Sequence, residues 1–108
     1  MMHESDFLAA AEAMQRRWFD ALEAAEPDAL DVDFENGILT VEAEGIGTFV
    51  LSKHAPTRQL WLSSPLSGAS HYQYDAARAA WLSTRGGGDL DALLEAEFAR
   101  AAGMRIAP

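Results

Sequence analysis

The stretch DVDFENGILTVE, residues 31–42, alternates apolar and polar side chains on both sides of Asn36-Gly37. Asn-Gly is the strongest short signal for a two-residue hairpin turn, because both turn positions need a positive φ. Such a turn also fixes the register, so Asp31 is expected to lie opposite Glu42 on the polar face. Like charges in that position lower the stability of a sheet. The residues expected on the apolar face of the hairpin are Val32, Phe34, Leu39 and Val41.

Four further strands are predicted after the hairpin, because short alternating segments continue and are separated by turn residues. They cover residues 48–52, 55–65, 71–74 and 80–82. In the second of these, Leu60 and Leu62 belong to the apolar face, whereas Trp61 lies on the polar face with Gln59 and Ser63. Tryptophan is enriched among interface hot spots, although a loop could cover this one and a lone exposed aromatic is common. Trp61 is therefore a candidate binding residue.

An amphipathic helix is predicted over residues 5–25, where apolar side chains recur every three or four positions. Ser5 or Asp6 can serve as its N-cap, and Pro27 ends it. The side of the helix opposite the apolar face is acidic.

A second helix is predicted to begin after Asp89, a good N-cap, and to end at Gly103. Both helices can bury their apolar faces only if they pack on the apolar face of the sheet. We therefore predict an α+β fold, a two-layer sandwich with the N- and C-terminal helices on one face of a five- or six-stranded antiparallel sheet. The length of 108 residues predicts one domain over residues 1–108.

The acidic residues are concentrated in residues 1–44, which hold twelve of the seventeen and only two arginines, in a chain of net charge −9. The negative charge of this region repels nucleic acid and attracts cations or a basic protein surface. The first helix and first strand are predicted to form a ridge of Asp20, Glu23, Glu26, Asp28, Asp31 and Asp33. Exposed carboxylates favour loosely held, hydrated hard cations, although they could also be a solvated face that keeps the protein soluble.

Several kinds of site do not fit the residues present. The chain has no cysteine, which excludes disulfides and thiolate sites, and its three histidines lack the spacing of zinc enzymes. The triple glycine at 86–88 has no phosphate-loop lysine, and no serine lies in a Gly-x-Ser-x-Gly motif. The start of the chain has no signal-peptide or transit-peptide features, and no apolar run could span a membrane. We therefore expect a cytoplasmic protein.

The block GTFVLSKHAPTRQLWLSSPLSG, residues 47–68, resembles the signature segment of frataxins, with a fairly specific Pro-x-x-Gln-hydrophobic-Trp core at 56–61. The hairpin and the segment DLDALLEAEFARAAG are similar to the first hairpin and second helix of that family. The likeness therefore covers nearly the whole chain, and it implies a frataxin-like sandwich.

The resemblance also implies a non-enzymatic accessory role in iron–sulfur cluster assembly. Such a protein binds ferrous and ferric iron weakly, holds no prosthetic group tightly, and docks on the cysteine desulfurase and the scaffold protein. A monomer is expected in the absence of iron, with no nucleic-acid or membrane partner.

The resemblance assigns residues to these roles by position. The implied iron ligands are Glu12, Asp20, Glu23, Glu26, Asp28, Asp31 and Asp33. The implied docking residues on the sheet are Gln59 and Trp61. Ser52 and His54 stand where the family usually has Asn and Gln, so the hydrogen bonds of these two residues to a partner are expected to differ.

Two other functions stay open on the sequence. One is an iron-oxidising enzyme, in which ridge carboxylates hold two metals close enough for oxygen chemistry. The other is an acidic protein-interaction module with no metal role.

Overall fold

The computed structural model of the chain describes residues 2–108. The elements are α1 (Glu4–Ala25), β1 (Leu30–Glu35), β2 (Ile38–Ala43), β3 (Gly47–His54), β4 (Gln59–Ser64), β5 (Gly68–Asp75), β6 (Ala80–Ser83) and α2 (Leu90–Ala102). A short 3-10 helix, Ala55–Thr57, precedes β4. Within the described residues, neither helix is long and apolar enough to cross a membrane.

The six strands form one antiparallel sheet in which each strand lies beside its neighbours in sequence. The hairpin turn has a φ of 53° at Asn36 and 74° at Gly37, as a turn with two positive φ values requires. Asp31 lies opposite Glu42, so the predicted register is confirmed. The polar and apolar residues of the hairpin therefore lie on the predicted faces of the sheet.

Both helices pack on the same face of this sheet, which confirms the predicted sandwich. The ring of Phe98 in α2 lies 4.9 Å from that of Phe49 in β3 and 5.5 Å from that of Trp18 in α1, both in edge-to-face geometry. These two contacts join α2 to the sheet and to α1. The largest fully buried side chains are Trp18, Phe7, Phe49, Phe98, Leu22, Leu39, Leu60, Leu90, Leu94, Gln15 and Val41.

One polar side chain of α1 lies in this core. Gln15 is fully buried, and its Nε2 donates to the carbonyl oxygens of Gly37 and Leu51, both at 2.9 Å. These hydrogen bonds attach α1 to the hairpin turn and to β3. They also give acceptors to a buried amide that would otherwise be costly.

The second helix begins and ends as predicted. The carboxylate of Asp89 accepts a hydrogen bond from the backbone N–H of Asp91 at 3.2 Å, and Gly103 adopts a φ of 71° at the C-cap. The side chain of Asp91 then joins the helices. It accepts from the indole Nε1 of Trp18 at 2.8 Å and from Nη2 of Arg17 at 2.9 Å.

The predicted N-cap of α1 is wrong. Ser5 and Asp6 lie inside the helix, which begins at Glu4 with His3 as its N-cap. The carbonyl oxygen of His3 accepts from the N–H of Phe7 at 2.9 Å, so the first turn already includes both predicted caps. The His3 side chain makes no capping hydrogen bond, and the carboxylates of the first turn interact favourably with the helix dipole instead.

The predicted strand over residues 55–65 begins later than expected, at Gln59. Pro56 lies in the 3-10 helix, because it has no N–H to donate to a neighbouring strand. Arg58 then adopts a left-handed φ of 54°, which turns the chain into β4. The neighbouring strands β3 and β5 are longer than predicted.

Candidate functional site

The predicted iron ligands all lie at the surface along one flank of the molecule. We call this set the acidic ridge: Glu12, Asp20, Glu23, Glu26, Asp28, Asp31 and Asp33. Every member is exposed. The set follows α1, crosses the turn after it and continues along β1, which is an edge strand of the sheet. The structure therefore places these residues on two adjoining elements.

An aromatic contact packs α1 against β1 beneath the ridge. The rings of Phe19 and Phe34 lie 6.0 Å apart, and the guanidinium carbon of Arg16 lies 4.9 Å from the centre of the Phe34 ring. Glu12 lies one helical turn before Arg16, and Glu23 lies one turn after Phe19, so both belong to this flank. The packing of Phe19 thus sets the position of the ridge carboxylates relative to β1.

No arginine or lysine of the described chain forms a salt bridge with the ridge. The ion pairs within residues 2–108 are Arg17 with Asp91 at 2.9 Å and Arg105 with Glu95 at 3.1 Å. Arg16 lies within the acidic part of the chain, but its guanidinium stacks on Phe34. The ridge carboxylates therefore keep their charge available for an external cation or a basic surface.

The ridge is an extended surface. Asp31 and Glu42 face each other across the hairpin, and both line an open cleft that also includes Asp28 and Glu44. Across the described residues, no three acidic or histidine side chains converge closely enough to hold a metal ion. Glu42 and Glu44 were not among the predicted ligands, although the hairpin register placed Glu42 beside the ridge.

Trp61 lies on the outer face of the sheet, as predicted. It is half-buried, and its Nε1 donates to the side-chain oxygen Oε1 of Gln59 at 2.9 Å. Ser52 of β3 lies directly opposite Trp61, and Ile38 of β2 lies opposite Ser52. Ile38 is 41% exposed, so an apolar side chain continues this outer row toward β1. The sheet face thus offers an aromatic ring beside short polar groups.

Two histidines enclose the indole of Trp61. The ring of His54 lies 3.7 Å from it with an interplanar angle of 12°, and the ring of His71 lies 4.4 Å away at 11°. His54 belonged to the predicted docking residues, whereas His71 was missed. The sequence feature that could have identified His71 is its position opposite Trp61 when β4 pairs with β5.

The sequence of this chain matches a known protein family. The family described as Frataxin-like domain matches residues 1–104. The chain belongs to the frataxin-like family. It is 40% identical over 81 residues to the mitochondrial frataxin homolog of Schizosaccharomyces pombe, covering 75% of this chain and 51% of that protein. It is 39% identical over 82 residues to the iron-sulfur cluster assembly protein CyaY of Pseudomonas aeruginosa, covering 74% and 72%.

Solved structures of the family have the same fold. Trimeric frataxin from the yeast Saccharomyces cerevisiae, complexed with ferrous, matches with a TM-score of 0.78 and 34% identity over 87% of this chain and 86% of that one. Frataxin from Psychromonas ingrahamii matches with a TM-score of 0.86 over 98% and 97%, at 23% identity, which supports the fold alone. The chain spans about half the length of several mitochondrial frataxins that it matches.

Proposed function

We propose that this chain is a non-enzymatic, iron-binding accessory protein of iron–sulfur cluster assembly. Family membership supports this, as do the cluster-assembly relative of Pseudomonas aeruginosa and the yeast frataxin complexed with ferrous. The observation that carries the proposal is the presence of two displayed surfaces on one molecule. One is a ridge of carboxylates without salt bridges in the described chain, and the other is the outward-facing Trp61.

Iron in this proposal is cargo held on the acidic ridge. Carboxylate oxygens are hard ligands, and exposed groups on a flank leave most of the coordination sphere of a bound ion to water. Affinity is therefore weak, and an ion can be passed to another protein. The iron-oxidising alternative needs carboxylates paired at close range around two metals. Exposed carboxylates spread along α1 and β1 support binding without oxidation.

The proposed partners are a cysteine desulfurase and its scaffold protein. The acidic ridge would contact a basic surface of the desulfurase, and the docking residues of the sheet would extend the same interface. Those docking residues are Ser52, His54, Gln59 and Trp61. Asp31 and Asp33 lie on the outer side of β1, so the ridge continues onto the sheet face. One partner complex can therefore cover both surfaces.

Calorimetric titration of the chain with ferrous iron, without oxygen, tests the iron-binding role. We expect weak binding by the wild type and about a tenfold loss of affinity in Asp31→Asn/Asp33→Asn, which removes two neighbouring hard ligands.

The matched control is Glu4→Gln/Asp6→Asn, which makes the same change in charge at the start of α1, outside the ridge. It should bind iron as the wild type does. If the wild type gives no heat of binding, the metal-free interaction module replaces this proposal. Equal losses in the two double variants would mean that iron responds to net charge and has no site on the ridge.

A further inference from the structure

The stack on the outer sheet face unites residues from three strands. His54 comes from β3, Trp61 from β4 and His71 from β5. Each imidazole covers one face of the indole, at centroid distances of 3.7 Å and 4.4 Å, and both rings are within 12° of parallel. Because both faces of Trp61 are occupied, a partner meets the indole edge together with the two imidazoles.

Hydrogen bonds hold this stack in place. The indole N–H of Trp61 donates to Oε1 of Gln59 at 2.9 Å, and Nδ1 of His54 lies 2.7 Å from Oγ1 of Thr57. Each of these partners belongs to β4 or to the short helix before it. The geometry that a partner recognises is therefore formed before binding, which lowers the entropy cost of docking.

Few charged groups face the two imidazoles. Arg85 lines the same groove as His71, and Asp75 and Glu35 lie further away on the outer face of β5 and β1. Next to His54 in sequence, Lys53 extends beside Gly37, and Arg58 donates to the carbonyl oxygen of Ala55. The nearest groups on the outer sheet face, in the short helix before β4 and just after β6 are neutral: Ile38, Ser52, Thr57, Gln59, Ser63, Ala69, Gln73, Leu82 and Thr84.

We propose that His54 and His71 form a proton-sensitive clamp on Trp61, which weakens docking of the partner as the pH falls. This inference rests on the proposed function and adds regulation to the same sheet face. Histidine is the side chain that ordinarily gains its proton between about pH 8 and pH 5. A protonated imidazole still stacks on an indole, as a cation–π pair, so the clamp keeps its shape while the face gains positive charge.

The direction of the effect follows from charge complementarity. A partner attracted by the acidic ridge carries a basic surface, and two imidazolium groups beside Trp61 repel it. Covering an imidazolium with a partner also costs more desolvation free energy than covering a neutral ring. The double variant His54→Gln/His71→Gln keeps every carboxylate of the ridge, so its comparison with the wild type tests the clamp separately from the ridge.

The first test uses the chain alone. The indole N–H resonance of Trp61 is followed by NMR from about pH 8 to pH 5.5, the range of histidine titration, with the buried Trp18 and Trp81 as references. We expect the chemical shift of this resonance to change with pH in the wild type, as the imidazoles bind protons. The change should be smaller in His54→Gln or His71→Gln and absent in the double variant. His3→Gln is the matched control and should behave as the wild type. A Trp61 resonance that does not move, or that moves equally in the double variant, overturns the clamp.

The second test measures the dissociation constant for the cysteine desulfurase at about pH 8 and pH 6. We expect the wild type to bind about tenfold more weakly at the lower pH, and His54→Gln/His71→Gln to change by less than about twofold. If the wild type and the double variant lose affinity equally at the lower pH, the effect belongs to the partner and the proposal is overturned. Absence of binding at both pH values refutes the proposed function itself. The NMR titration then still decides whether protonation of the two histidines alters the environment of Trp61.

Discussion

Trp18 and Trp61 have the same side chain in two different environments. Trp18 is fully buried and donates its indole N–H to Asp91 of the other helix. Trp61 is half-buried on the outer face and donates its N–H to Gln59 of its own strand. The first therefore contributes to folding, and the second is the one that we propose contacts a partner.

Asp91→Ala tests the core role of Trp18. We expect it to lower the free energy of unfolding by about 2 kcal/mol, because the buried indole N–H loses its acceptor. Denaturation with urea measures this. Arg17→Ala removes only the exposed ion pair to the same carboxylate and should cost less than about 1 kcal/mol. Equal losses in the two variants would show that the ion pair, and not the indole, accounts for the effect.

Trp61→Ala tests the outer role. We expect the variant to fold, with a loss of about 1–2 kcal/mol from the two broken ring contacts. Its affinity for the cysteine desulfurase should fall by at least about tenfold, as for an interface hot spot. Circular dichroism and a binding titration give the two answers. An unfolded variant, or a folded one with full affinity, would contradict the role given to Trp61.

At the scale of elements, the β1–β2 hairpin was predictable because its information is local. Asn36-Gly37 determines the turn, and the period of two then determines the face of every residue in both strands. The same period, applied to the residues of β4, is sufficient to predict that Trp61 points outward. Helix α2 was equally predictable, because Asp89 and Gly103 mark its two ends in sequence.

Other contacts of the site depend on how distant segments meet, and local patterns do not contain that information. His71 contacts Trp61 only because β5 pairs with β4 in a particular register. In the sequence, Gln15 is an ordinary polar residue of a helix. Its burial depends on two carbonyl oxygens, one from the hairpin turn and one from β3, that accept its hydrogen bonds. The sequence places Arg16 among acidic residues with which it could form ion pairs, but in the structure its guanidinium stacks on the ring of Phe34.

The facing pair Asp31 and Glu42 gives a prediction at this scale. Asp31→Asn should raise the free energy of unfolding by about 0.5 kcal/mol, because it removes like charges from directly opposite positions. Asp33→Asn is the matched control, since Asp33 lies opposite the neutral Thr40. Urea denaturation at low salt compares them. A gain of the same size in both variants would mean that overall charge matters and the facing pair does not.

At the scale of the whole molecule, charge and aromatic surface occupy adjoining regions. The helices and the inner sheet face bury the apolar side chains, and the acidic ridge follows the α1–β1 flank. Asp31 and Asp33 carry the ridge onto the outer face that also holds Trp61. We propose that the twelve acidic residues among positions 1–44 draw a basic partner toward this joined surface.

The affinity of the chain for a purified cysteine desulfurase, at low and at high salt, tests the central claim most directly. Single exposed ion pairs contribute less than about 1 kcal/mol each, so binding by the ridge must depend on many pairs that salt screens together. We expect the dissociation constant to rise by at least about a hundredfold when salt is raised from about 0.05 M to about 0.5 M. An affinity that is unchanged over this range would contradict docking through the acidic ridge.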